Sequence, residues 1–564
     1  MESTIREMVT AALKECFGLE GVAFAVERPK ELAHGDYATN AALVIAKTLE
    51  VGPQECAEKI VAWLHANKPQ DIADISIAGA GFINFSLATD FFARHVSHII
   101  EQKNLWGSNT LYTGKTILVE HSSPNLFKSF HIGHVMNNAI GESITRLAHA
   151  SGAQVTVMTF PSDISLGVAK SVFILLEKYG VEFAPIDIGV LGDAYVEGTK
   201  RYADDESIHA RVKEIADNLY GEKDSAEWKV YQTCKQFNID YFERITERLG
   251  SQFDIYIYES QAGEVGKKIV QENTPKVFTE SEGAIVYIPA EDRKDINTAV
   301  FINSQGNPTY EAKDIGLLSM KFSKESHSDT LDLSIFITDN QQVPHFQVVL
   351  AAAHQIHPEW SEKSIHVHHG RMSFKGQKMS SRLGGVPLAD TLLDTVSEEV
   401  KERAIDLSDE AIDTIAIAAL KFSILRAAAG KDINFDPETS LSFEGDSGPY
   451  LQYSTVRARS ILSKAVYLGA KLPNIPEGWQ TTAVEKMLIH FPEVVEHAVE
   501  QWSPHFIVTY VLELSQAFNS WYASTKILDD TDPASAYKIV LTAAFAQTMT
   551  NGLQLLGIAV PEKM

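Results

Sequence analysis

Cysteine is scarce in this 564-residue chain: Cys16, Cys56 and Cys234 are the only three, and they stand far apart in sequence. Without a CxxC pair there is no basis for a disulfide framework or a thiolate zinc site, and buried structural thiols are expected. Long apolar runs are missing as well; none approaches the roughly 20 residues of a membrane-spanning helix. Residues 1–19 suit an amphipathic helix, but Glu2, Glu7 and Glu15 argue against a transit peptide and there is no apolar signal core. A cytoplasmic protein with no membrane partner is expected. Positive charge is short too, with 49 Lys and Arg against 74 Asp and Glu, a formal net charge of -25. That balance disfavours non-specific nucleic-acid binding, so an RNA partner has to be met by a local basic stripe. Repeats and low-complexity tracts are absent.

What remains is an ordinary globular composition, 45% hydrophobic and 22% charged, in a chain too long for one core. Residues 1–110 read as a small α/β unit. It has helices near 2–17, 37–50 and 53–66 and a strand pair around Ile75–Ile77 and Phe82–Ser86. Gly35 and Asp36 are expected to turn and cap the helix that follows. Residues 111–407 carry a β-α-β pattern: a strand at Ile117–Val119, a helix over 133–150 and a strand over Gln154–Phe160. It resumes with strand Leu333–Thr338, helix 345–356 and strand Ile365–His369. Such alternation predicts a parallel sheet with right-handed crossovers. Residues about 180–300 look inserted, helical near 206–249 and then strand-rich. Residues 408–564 read as a helical bundle, with helices near 408–429, 447–468, 481–502, 504–525 and 533–555.

Two short motifs carry chemistry. His131-Ile132-Gly133-His134 stands where a buried strand gives way to a helix, a place where backbone N–H groups and the helix dipole attract phosphate. Two imidazoles three residues apart bracket a glycine that lets a nucleotide approach. Lys378-Met379-Ser380-Ser381 lies between Gly376 and Gly384-Gly385, and its ammonium and hydroxyls suit the far end of the same triphosphate. Together they read as a site that activates a carboxylate by adenylation. His366, His368 and His369 share a strand, but 366 and 368 point to one face and 369 to the other, so no metal site is expected. Phe518, Trp521 and Tyr522 at helical spacing are expected in the bundle core.

The two motifs are similar to the signatures of class I aminoacyl-tRNA synthetases. Nearly end to end, the chain more narrowly resembles the arginyl-tRNA synthetase family. The resemblance runs through Val119–Asn125, Tyr310-Glu311-Ala312-Lys313-Asp314, Gln342 with His345-Phe346, Gly445–Tyr453, Arg457–Ile461 and Leu556-Gly557-Ile558 with Met564. Gly35–Asn40 is similar to that family's additional N-terminal domain, which separates it from other class I synthetases. A small nucleotidylyltransferase would have no reason for the C-terminal bundle. A non-catalytic paralogue would typically have lost the histidines or the lysine.

The resemblance implies a Rossmann-type doubly wound parallel sheet core, an N-terminal α/β domain that contacts the tRNA elbow and a C-terminal all-helical anticodon-binding bundle. It implies an arginine–tRNA ligase that uses ATP with Mg2+, L-arginine and tRNA(Arg), with no tightly bound metal or organic cofactor, acting as a monomer. His131, His134 and Lys378 would be catalytic, and Gly133, Lys128, Met379, Ser380 and Ser381 would bind ATP. Glu120, Ser123, Asn125, Tyr310, Asp314 and Gln342 would hold arginine, and Tyr450, Tyr453, Arg457 and Arg459 the tRNA. Tyr310 and Asp314, four apart, share a side if their segment is helical. Two departures stand out. Ser162–Gly167 lacks the glycines and histidine common there in the family, which leaves Asp163 as a candidate, and Lys313 replaces a usual arginine.

Overall fold

Short segments rich in aliphatic residues build the central sheet of the computed structural model, which describes residues 1–29, 34–184, 187–221, 224–323, 331–375, 387–403, 406–465 and 475–564. They are β1 (Thr116–Glu120), β2 (Gln154–Thr159), β3 (Ile255–Tyr256), β4 (Leu333–Asp339) and β5 (Ser364–His369). Every neighbouring pair is parallel, in the order β5-β4-β1-β2-β3. Parallel strands need crossovers, and helices Ile132–Ala150 (β1 to β2) and Val343–Ile356 (β4 to β5) supply two of them. Ile117, Leu118 and Val119 are all buried, as befits a strand covered on both faces. The chain steps outward from β1 to β2 and β3, then returns to lay β4 on the other side of β1. The winding therefore reverses between β1 and β4, and sheets of this kind open a crevice at the carboxyl ends of such strands.

Residues expected as one insertion rejoin the sheet part-way, because Ile255–Tyr256 pairs with Met158–Thr159 as its edge. Before that edge, helices Leu166–Tyr179, Ile188–Asp204, His209–Gly221 and Ala226–Arg248 share an apolar cluster that includes Phe127, Leu175, Leu191 and Tyr231. After it come helix Glu259–Glu272 and a three-stranded antiparallel sheet of Thr279–Ser281, Ala284–Tyr287 and Ala299–Ile302.

The chain groups into two units: residues 1–106, 457–492 and 512–551 form one, and residues 107–456, 493–511 and 552–564 the other. In the first, an antiparallel four-stranded sheet shares its core with helices Glu2–Phe17, Ala41–Leu49 and Pro53–Asn67. The helix expected over 37–50 begins only at Ala41. Tyr37–Thr39 is strand, drawn out by pairing with Ile83–Phe85. Asp36 is accordingly no helix cap; its carboxylate accepts from the Leu87 N–H at 2.8 Å and pairs with Lys486 at 2.8 Å.

The C-terminal region is helical, with Asp409–Leu425, Gly448–Lys464, His505–Ser524 and Ser535–Leu555 as its long members. The helix expected over 481–502 is two, Ala483–Leu488 and Phe491–Glu500. Pro492 has no N–H with which to continue the ladder, and it sits in the first turn of the second helix. Phe518 is fully buried and stacks on Phe545 with ring centroids 3.8 Å apart, whereas Tyr522 is exposed and Trp521 half-buried. Of the three aromatics expected in the core, only Phe518 lies fully within it.

Candidate active site at the strand reversal

The chain leaves β1 through a constrained turn. Ser122 and Phe127 have φ of +58° and +64°, uncommon for residues with side chains. Both are buried and held by side chains: the Ser122 N–H donates to Asn137 Oδ1 at 2.6 Å, and the Phe127 N–H to Asn238 Oδ1 at 2.8 Å. Backbone strain of this sort concentrates where a site must be held in shape.

His131 caps the Ile132–Ala150 helix. Its Nδ1 accepts from the Gly133 N–H at 3.1 Å, and its own N–H donates to His134 Nδ1 at 3.1 Å. The two rings stack with centroids 3.9 Å apart, and His134 also stacks on Phe130 at 4.6 Å. Since both Nδ1 atoms accept, each neutral ring carries its proton on Nε2. Burial first, then Lys128 and the neighbouring rings, pushes the pKa of His131 down and that of His134 well down. At neutral pH the pair is therefore two N–H donors and not two cations. A Cβ on Gly133 would lie 3.0 Å from His131 Cε1.

Lys378, Met379, Ser380 and Ser381 lie outside the described residues. The residues that follow that segment are tied to the histidine motif: the Ile132 N–H donates to Pro387 O at 3.0 Å, and the Ala389 N–H to Phe130 O at 2.7 Å. Lys128 Nζ sits 4.2 Å above the Tyr195 ring.

Across the reversal, Glu120 and Asp314 line one small cavity with Leu317, Lys321, Phe336 and Phe346. Both carboxylates hold protein cations. Glu120 pairs with the buried Lys321 ammonium. Asp314 Oδ2 lies 2.5 Å from His345 Nε2, and His345 Nδ1 lies 3.6 Å from Glu311 Oε1. Burial alone would lower the His345 pKa, but its hydrogen bonds to the Asp314 and Glu311 carboxylates outweigh it and push it up to about 9. Lys313 is buried, bonds Glu259 at 2.7 Å and lies 4.9 Å above the Tyr310 ring, which is 59% exposed at the helix start. Ser123 Oγ accepts from the Phe160 N–H at 3.1 Å; Asn125 and Gln342 are exposed. Asp163 is buried and its oxygens are taken by Tyr231, Lys235 and Ser260, at 2.8–3.1 Å. That network makes it a structural tie and not a free pocket wall.

His366 meets Thr338 Oγ1 at 2.7 Å, His368 meets Asn340 Oδ1 at 2.6 Å, and His369 donates to Gly370 O at 2.8 Å. Sequence reasoning gave no role to His345, Glu311, Glu259 or Lys321. The spacing 314, 317, 321 on one helix was the signal available for Lys321, since such residues share a face.

Family models match the length of the chain in three stretches. The catalytic domain of class I tRNA synthetases (R) matches residues 95–436, the arginyl tRNA synthetase N terminal domain residues 3–87, and the DALR anticodon binding domain residues 451–564. The chain belongs to the arginyl-tRNA synthetase family. Arginine–tRNA ligases from Bacteroides thetaiotaomicron (28% identical, covering 91% of each chain) and Borrelia hermsii (27% identical, covering 100% of this chain and 98% of that one) are similar to it. The solved structure of Thermus thermophilus arginyl-tRNA synthetase covers 100% of both chains with a TM-score of 0.80 at 26% identity. That from Plasmodium falciparum, at 19% identity and a TM-score of 0.78, shares the fold.

In this arginyl-tRNA synthetase family member, the residues singled out for tRNA stand on the Gly448–Lys464 helix. Tyr450 and Tyr453 are half-buried, Tyr453 with its ring 6.4 Å from Phe443. Arg457 donates to Asn519 Oδ1 at 2.6 Å and lies 5.1 Å from the Tyr522 ring. Arg459 donates to Thr550 Oγ1 at 3.0 Å, and burial lowers its pKa.

Proposed function

We propose that the crevice between β1 and β4 is where this arginine–tRNA ligase joins L-arginine to ATP and passes the arginyl group to the 3′ end of tRNA(Arg). The arginine carboxylate, already ionised, attacks the α-phosphate in line, and pyrophosphate leaves. A terminal ribose hydroxyl of the tRNA then attacks the adenylate carbonyl, and AMP leaves. Neither step needs a covalent nucleophile from the protein; positioning and fixed donors carry the rate.

His131 and His134 direct Nε2–H groups at phosphate oxygens, and Gly133 leaves room for the adenosine. Lys378, with Met379, Ser380 and Ser381, holds the β- and γ-phosphates, and Lys128 adds a cation near the triphosphate. Magnesium enters as part of the ATP substrate. Asp314, Tyr310 and Glu120 receive the guanidinium, while Ser123, Asn125 and Gln342 take the amino and carboxylate groups. Tyr450, Tyr453, Arg457 and Arg459 meet the anticodon arm, and residues 1–110 the tRNA elbow.

The observation that carries this reading is the stacked pair of neutral imidazoles at a helix start beside the strand reversal. We further propose a cytoplasmic monomer. Free Cys16, Cys56 and Cys234 suit a reducing compartment, and no helix among the described residues is long and apolar enough to cross a membrane.

Pyrophosphate exchange with each amino acid, with and without tRNA, tests the reading. Arginine-dependent exchange that requires cognate tRNA is expected. Exchange with another amino acid, and none with arginine even when tRNA is present, would overturn it.

A further inference from the structure

His345 stands on the Val343–Ile356 helix with both ring nitrogens turned to carboxylates of the Tyr310–Lys321 helix, Asp314 at 2.5 Å and Glu311 at 3.6 Å. A neutral imidazole has one N–H, so a ring facing two acceptors is best satisfied with a proton on each nitrogen. Phe346 meets it edge-on at 5.0 Å. The titratable group on β5 nearest to it in effect, His366, is neutral: burial pushes its pKa down to about 4. The Lys321–Glu120 pair is internally balanced, as is Lys313–Glu259. Asp314, Glu311 and protonated His345 therefore sum to one negative charge.

This arrangement bears on how arginine is read. With His345 on Oδ2 of Asp314, a two-oxygen fork to the guanidinium would have to share that oxygen with the imidazole, which makes Oδ1 the freer acceptor. The imidazole fixes the carboxylate's rotation and so the direction in which Oδ1 points. We propose that His345, as an imidazolium, is a positioning residue for arginine selection: it clamps one oxygen of Asp314, aims the other at the guanidinium and leaves the pocket one negative charge for one positive side chain. The inference rests on Asp314 being the guanidinium acceptor. The imidazolium, and the clamp with it, is lost as pH rises through about 9.

Pyrophosphate exchange with tRNA present, between about pH 7 and 10, separates the possibilities. The proteins are wild type, His345→Gln, which keeps a donor near Nε2 and drops the charge, and Asp314→Asn. In His345→Gln the KM for arginine at neutral pH should rise about tenfold or more, with kcat and the KM for ATP within a few-fold of wild type. In wild type the arginine KM should climb through about pH 9, and His345→Gln should lose that part of the climb. Any part owed to arginine's own α-amino group persists in both proteins.

An unchanged arginine KM in Asp314→Asn overturns the assignment of Asp314, and this inference with it. A raised KM in Asp314→Asn, beside a wild-type KM or a wild-type pH profile in His345→Gln, overturns the role of His345 alone. Should His345→Gln fail to fold, NMR of carbon-labelled histidine rings in the wild-type enzyme decides. One of the 19 imidazoles should stay protonated above about pH 8 and respond to added arginine. All 19 titrating below about pH 7.5 would overturn the proposal.

Discussion

His134 performs two separable tasks with its two ring nitrogens, and two amide substitutions pull them apart. Nδ1 accepts the His131 N–H at 3.1 Å and completes a reciprocal helix cap, while Nε2–H, without a hydrogen-bond partner among the described residues, is left for the phosphates. His134→Asn keeps an acceptor near Nδ1 and lacks the distal donor. His134→Gln keeps a donor near Nε2 and lacks the acceptor. Removing one preorganised donor costs about 10²–10³ in rate, so His134→Asn should lose that much in kcat for pyrophosphate exchange with little change in stability. His134→Gln should keep more of the rate and lose about 1 kcal/mol of stability, the worth of a helix cap. Both also lose the stack on Phe130, which lowers each melting temperature alike and leaves their difference interpretable. Exchange at saturating ATP and arginine, beside urea unfolding of the same preparations, gives both numbers. Equal rate losses in the two variants, or a wild-type rate in His134→Asn, would refute the division of labour.

Three further outcomes follow from particular contacts. Gly133→Ala brings a Cβ to 3.0 Å from His131 Cε1, so the ring must shift by a few tenths of an ångström; the KM for ATP should rise roughly tenfold with arginine KM little changed. Asp163→Asn leaves Lys235 without its buried partner and should cost about 3–5 kcal/mol in urea unfolding. Lys421 is buried, donates to Gly557 O at 2.6 Å, and burial pushes its pKa down from 10.5 to about 8. The folded state therefore bears the cost of that charge below pH 8 and sheds it as pH rises toward 10.5, so the stability advantage of Lys421→Met over wild type should shrink by about 3 kcal/mol across that range.

The parallel core was readable because β1 and β4 are short aliphatic runs followed by helical periodicity, and because the histidine motif falls at the junction. The edge strand was not. Ile255–Tyr256 is two residues long and owes its conformation to Met158–Thr159, about a hundred positions earlier. Tyr37–Thr39 shows the same effect: beside the Ala-rich stretch that follows, it reads as helix, and only pairing with Ile83–Phe85 makes it strand. In the pocket, Glu120 and Asp314 could be named because the family's motif carries them, but their partners could not. Lys321 lies 201 residues from Glu120, and in an acidic chain a lone lysine reads as a solvated surface residue. Arg457 and Arg459 likewise have partners that no local pattern announces, Asn519 and Thr550, 62 and 91 residues further along the chain.

The electrostatics of the two proposed subsites are opposite for a physical reason. An imidazolium pair at 131 and 134 would bind ground-state ATP strongly, and charge felt equally before and during the reaction lowers KM without raising kcat. Neutral N–H donors, pointed where negative charge grows, interact more strongly as that charge develops. Burial beside Lys128 and stacking on one another hold both rings in that neutral form. The arginine side inverts the logic. Its ligand is a permanent cation, so carboxylates are required, yet Glu120, Asp314 and Glu311 with no counter-charge would repel one another. Lys321 and His345 set two positive charges against those three carboxylates, leaving one negative charge for the guanidinium to meet.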